Sequence, residues 1–160
     1  MIQVIPVGSR QDRLFAIKQI IESRDVSTQE ELITELEKLG YDVTQATVSR
    51  DIGDLGLLKV RISAEGGVSG RQIYSLPEIE RLRSLLNEFM ITIDKAGNLI
   101  VIKTNPGTAQ AVAAAVDAVK WPDVLGTVGG DDTILVIIRT TAAADYVTGR
   151  IARLRDEKVF

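Results

Sequence analysis

The chain has 160 residues, with 19 Lys and Arg against 22 Asp and Glu, and it contains neither Cys nor His. That composition excludes thiol and imidazole nucleophiles, His general bases, zinc sites of the usual ligand sets and disulfide staples, so any catalysis would rest on carboxylates, Lys, Ser/Thr or Tyr. The net charge of −3 argues mildly against non-specific attraction to nucleic acid, although residues 44–76, with Arg50, Lys59, Arg61 and Arg71 against Asp51, Asp54 and Glu65, are slightly basic.

Residues 10–23 set Leu14, Ile17 and Ile21 at helical spacing. Ser27 and Glu30 form an S-x-x-E capping box for a second helix, which carries Leu32, Leu36 and Leu39 on one face and stops at Gly40. Thr44 stands where it would cap a third helix, "QATVSRDIGDLG", with Val48, Ile52 and Leu55 toward a core and Gly56 as its end. The short turn between the second and third helices predicts a helix-turn-helix. "LLKVRI" and "RQIYSL" then read as strands around the Gly-rich "SAEGGVSG", a hairpin that would make a wing. Pro77 marks a break, and "EIERLRSLLNEF" is charged enough to serve as a linker with some helix of its own.

Beyond it the pattern doubles. Strands are expected at Phe89–Ile93 and Leu99–Lys103 around the turn Lys95–Asn98, then a helix at Thr108–Lys120. Strands at Val124–Val128 and Thr133–Arg139 flank a Gly-Gly-Asp-Asp loop, and a helix over about Ala142–Arg155 closes the series. A ββαββα order of this kind predicts an α+β layer with helices on one face of an antiparallel sheet. The expected organisation is therefore a winged helix-turn-helix domain over residues 1–76, a linker over 77–87 and a ββαββα domain over 88–160. Domains of about 75 residues have thin cores, so an oligomer is expected. The N-terminal "MIQVIPVGSR" lacks a basic n-region with a long apolar stretch behind it, and no run of about 18 apolar residues occurs, which predicts a soluble, cytoplasmic protein with no membrane partner.

Two constellations carry chemistry. If Val48, Ile52 and Leu55 face inward, the outer side of the third helix shows Ala46, Arg50 and Gly53, with Thr47 and Ser49 on its flanks and Gln45 near its start. Small side chains let a helix sit deep in a major groove, where Arg pairs bidentately with guanine and Gln with adenine. The bland alternative is a solvated face of a three-helix packing module. In the second half, the helix "TAQAVAAAVDAVK" is apolar nearly all round apart from Gln110 and Asp117, seven residues apart on one stripe. A carboxylate there asks for a cation unless it faces water. Asp131 and Asp132, with no Lys, Arg or His within six residues, ask for the same. Mg²⁺ held by the paired acids would make an enzyme, whereas a guanidinium would make a binding site, its planar donors suiting more than one carboxylate.

The stretches "TQATVSRDIGDLGLLKV", "NLIVIKTNPGTAQAVAAAVDAV" and "LGTVGGDDTILVI" together resemble the bacterial arginine repressors, over nearly the whole chain from about Arg10. The resemblance implies an arginine-responsive repressor of arginine biosynthesis, with activation of catabolism as a further role, that binds palindromic double-stranded operators. It implies a C-terminal domain that trimerises, a hexamer of two stacked trimers, and L-arginine as co-repressor between them. Carried over residue by residue, Gln45, Ser49 and Arg50 match the DNA-contacting positions, and Gln110, Asp117, Thr127, Gly129, Asp131 and Asp132 match the arginine pocket. No catalytic residue, metal or further cofactor is implied. The loop "SAEGGVSG" carries Glu65 and no Lys, where wings of the family often offer basic groups to phosphate. The competing readings are a ligand-gated regulator that answers to another cationic amino acid, a ligand-gated oligomer that never touches DNA, and a carboxylate-dependent Mg²⁺ enzyme.

Overall fold

Three capped helices open the chain, and each end is fixed by residues close in sequence. The computed structural model describes residues 8–62 and 70–156, so most of the loop expected as a wing tip lies outside the described residues. Helix α1 (Arg10–Ser23) begins on a reciprocal capping box between Ser9 and Asp12 and buries Ala16, Ile17, Ile20 and Ile21. Helix α2 (Gln29–Lys38) is capped one residue later than the sequence pattern suggests: Thr28, not Ser27, accepts the Glu31 amide, and Glu31 turns back to the Ser27 amide at 2.7 Å. The stretch Ser27-Thr28-Gln29-Glu30-Glu31 fits the motif in two registers, and the buried pair Leu32 and Leu36 agrees with the second. Leu39 does not join that face and is exposed. Gly40, at φ 88°, lets its own amide reach Glu37 O and the Tyr41 amide reach Leu36 O, which satisfies two orphan carbonyls at the helix end.

Helix α3 (Gln45–Leu55) starts at Thr44, whose hydroxyl accepts the Thr47 amide at 3.3 Å, and ends at Gly56 in the left-handed region at φ 62°. Strands β1 (Leu58–Ile62) and β2 (Arg71–Ser75) pair antiparallel with Val60 opposite Ile73. The Tyr74 amide donates to Val26 O at 2.8 Å and ties this ribbon to the turn between α1 and α2.

The chain divides into two compact units, the first ending at Pro77 and the second beginning at Glu78. The segment expected as a linker with some helix of its own is a full helix, α4 (Pro77–Phe89), in which Ile79, Leu82 and Leu86 are buried at i, i+3 and i+7 together with Arg83, whose Nε donates to Glu80. The second unit is an antiparallel sheet in the order β3 (Met90–Ala96), β4 (Leu99–Thr104), β6 (Thr133–Ile138), β5 (Val124–Gly129). Helix α5 (Ala109–Val119) packs on β5 and β6, and α6 (Thr141–Asp156) on β3, β4 and β6. Alternation decides the faces: Ile100, Ile102, Ile134, Val136 and Ile138 are fully buried under the helices. Their neighbours Leu99, Val101, Leu135 and Ile137 point the other way, and Val101 and Val128 flank Leu135 in register to form an apolar row on the uncovered face.

Candidate functional site

On α3 the inward side is Val48, fully buried, and Asp51, 1 % exposed, with Ile52 and Leu55 only half-buried. Asp51 does not sit uncompensated: Arg13 of α1 donates Nε to Oδ2 at 2.5 Å and Nη2 to Oδ1 at 3.0 Å. That bidentate bond raises the Arg13 pKa above its ordinary value and locks the register of α1 on α3. The buried acid was missed by sequence reasoning because its partner lies 38 residues away.

Gln45, Ala46, Ser49, Arg50 and Gly53 are all exposed on the opposite side, as the wheel requires. Arg50 differs from four other arginines of the first unit. Arg10 pairs with Asp54, Arg13 with Asp51, Arg24 with Glu35 and Arg71 with Glu31, whereas Arg50 has no partner among the described residues. A projecting, uncommitted guanidinium surrounded by Ser, Ala and Gly is the arrangement that reaches a base edge without steric obstruction.

In the second unit α5 is not buried all round. Val112, Ala113, Ala115, Val116 and Val119 face the sheet, while Gln110, Ala111, Ala114, Asp117 and Ala118 are exposed in the single chain. Alanine counts as apolar in a sequence pattern but covers little, and the exposed face is a shallow alanine floor between Gln110 and Asp117. Both polar ends are latched to β5. Gln110 Nε2 donates to Gly129 O at 2.6 Å, and Thr127 Oγ1 donates to Asp117 Oδ2 at 2.8 Å. The loop carrying the acids is held at the start of the same helix, since Asp131 O accepts the Gly107 amide at 3.0 Å and the Ala109 amide at 3.3 Å. The backbone thus brings the six residues to α5, β5 and the following loop, with the Asp132 side chain turned toward Thr133 at the end of the sheet.

The three carboxylates differ in what they already hold. Asp131 has no side-chain partner among the described residues, Asp117 receives only the Thr127 hydroxyl, and Asp132 accepts the Thr133 hydroxyl at 2.8 Å with Lys103 Nζ at 3.8 Å. The Thr133 bond first, and the Lys103 charge second, hold the Asp132 carboxyl below its ordinary range. Lys103, on β4, is a neighbour of Asp132 that the sequence did not offer, being 29 residues away along the chain and brought close by the β4–β6 pairing. No group of three or more metal-ligating side chains assembles among the described residues.

Gly129 is defined by space. A Cβ there would lie 3.3 Å from the amide carbon and nitrogen of Gln110. Because Gln110 is flexible and exposed, Gly129→Ala is expected to leave the unit folded, at a loss of about 1 kcal/mol or less, the net worth of one hydrogen bond. A thermal melt of the variant would measure it, and a much larger loss would mean that Gln110 is not the neighbour that yields.

The model for the DNA-binding domain of arginine repressors matches residues 9–82, and the model for their C-terminal domain matches residues 86–153. The chain belongs to the arginine repressor family. Among curated proteins, the arginine repressor of Caldicellulosiruptor saccharolyticus is 47 % identical over 145 residues, 89 % of this chain and 94 % of that protein. The arginine repressor of Exiguobacterium sibiricum is 49 % identical over 87 % of this chain and 94 % of its own length, and that of a Geobacillus strain is 41 % identical over 89 % and 96 %. This arginine repressor family member has the expected α+β architecture, and no helix among its described residues is long and apolar enough to cross a membrane.

Proposed function

We propose that the chain is an arginine-responsive transcriptional repressor that binds palindromic operator DNA through α3 and L-arginine through the patch on α5, β5 and the Gly-Gly-Asp-Asp loop. The observation that carries this reading is a pair of complementary charge vacancies: among the described residues Arg50 has no ion-pair partner on one unit, and Asp131 and Asp117 have no cation on the other. A guanidinium satisfies the acids with planar, multiple donors, and Gln110 and Thr127, which now donate to Gly129 O and Asp117, would exchange those bonds to orient the rest of a small zwitterion. Gln45, Ser49 and Arg50 are the proposed base-reading residues. Gln110, Asp117, Thr127, Gly129, Asp131 and Asp132 are the proposed ligand residues.

Assembly is part of the proposal. Leu125 and Val128 are 56 % and 59 % exposed, and Leu135 is 37 % exposed beside Val128. An apolar sheet face of that extent on so small a unit favours a homo-oligomer, read here as a trimer that arginine pairs into a hexamer. A fragment spanning residues 78–160 is expected to sediment as a trimer or larger, and a well-folded monomer would refute the assignment. Arginine binding only the assembled state stabilises it by mass action, which couples ligand to operator affinity. Calorimetry with arginine, lysine, ornithine and citrulline, joined to gel shifts of a palindromic duplex with and without arginine, tests the whole reading. Preference for another cationic amino acid would move the ligand identity. Failure to shift any palindrome at saturating arginine would leave a ligand-gated oligomer that does not bind DNA.

A further inference from the structure

We propose that Lys103 is a resident cation of the ligand patch, occupying Asp132 in the ligand-free chain so that an incoming guanidinium must compete with it. The inference rests on the arginine-site reading above and adds a residue to it.

The geometry is specific. Lys103 stands opposite Thr133 in the β4–β6 register, with both side chains on the face away from the helices. The ammonium donates to Thr133 Oγ1 at 2.6 Å, Thr133 Oγ1 donates in turn to Asp132 Oδ1 at 2.8 Å, and the ammonium lies 3.8 Å from that same oxygen. One hydroxyl thus relays between a cation and the acid. Asp131 and Asp117 have no such counter-charge among the described residues, so the patch holds three carboxylates and one cation. The pair is about half exposed on each side, 49 % for Lys103 and 52 % for Asp132. An ion pair so exposed is weak and salt-screened, hence breakable by a ligand. A hydrated ammonium is also a poorer match to a carboxylate than a planar guanidinium with forked donors. Lys103 therefore lowers ligand affinity without closing the site, and keeps Asp132 neutralised when ligand is scarce.

The opposite role is equally concrete: Lys103 could receive the ligand's carboxylate, and the sign of one substitution separates the two. In the full-length protein, Lys103→Met is expected to tighten arginine binding by up to about fivefold, the scale of an exposed ion pair. Citrulline, which does not compete for Asp132 as a cation, should shift much less. Lys103→Arg, which keeps the charge and adds forked donors, should not tighten arginine binding. Weaker arginine binding by Lys103→Met, no change, or an equal shift for both ligands would overturn the proposal. A second readout needs no ligand: the Asp132 carboxyl, followed by NMR, should titrate higher in Lys103→Met than in wild type, and an unmoved titration would mean Thr133 alone holds it down and also defeat the inference. If wild type itself binds no arginine, the function reading fails first and the competition falls with it, a result distinct from a wild type that binds and a variant that binds no better.

Discussion

Arg50→Ala is expected to reduce affinity for a palindromic operator by at least about tenfold, because each bidentate base contact is worth about 1–3 kcal/mol and an oligomer engages more than one recognition helix. Affinity for scrambled duplex should fall far less, so the substitution shows itself as lost discrimination. Arginine binding by the DNA-free protein should remain within about twofold, since Arg50 lies outside the ligand unit and surface changes away from special contacts have small effects. The fold should also be spared. Removing Arg50 orphans no acid, because Asp51 and Asp54 on the same helix are held by Arg13 and Arg10. Gel shifts with operator and scrambled duplex, run beside a thermal melt, check all three statements. A variant that retards operator normally would remove α3 from base recognition.

What the sequence disclosed, and what it hid, divides by range. The ends of α2 and α3 were legible because Gly40, Thr44 and Gly56 act within one helical turn. The alternating strands of the sheet were legible for the same reason, their period being local. Where two local signals overlapped, as in Ser27-Thr28-Gln29-Glu30-Glu31, the cap slipped by one residue. Charge density made 77–87 read as a linker with some helix of its own, and the spacing of Ile79, Leu82 and Leu86 extends that helix over all of α4. The proposed ligand patch was half legible. Asp117, Asp131 and Asp132 stood out as acids without cations, but the partners that distinguish them, Thr127 and Lys103, come from pairing across strands. Arg13 with Asp51 is the same case in the first unit: neither residue has a local signal that points to the other.

Those differences rank the acids. Asp131→Asn is expected to weaken arginine binding by about tenfold or more, since a charge-assisted hydrogen bond is roughly twice as strong as the neutral one that Asn retains. Asp132→Asn should cost less in the same assay, because that carboxylate already shares its charge with Lys103 and Thr133. Asn preserves size and one acceptor, and the loop backbone that holds Asp131 O to Gly107 and Ala109 is untouched, so the loss reports on charge and not on misfolding. Citrulline, close in shape to arginine but neutral, should bind wild type poorly, and Asp131→Asn should narrow the gap between the two ligands. Linkage carries the effect to DNA: a ligand that favours the assembled state less will raise operator affinity less. Calorimetry gives the first difference, and gel shifts across an arginine titration give the second. If both Asn variants bound arginine as wild type does and instead lost a Mg²⁺-dependent turnover, the acids would belong to a metal, and the chain would have to be read as an enzyme.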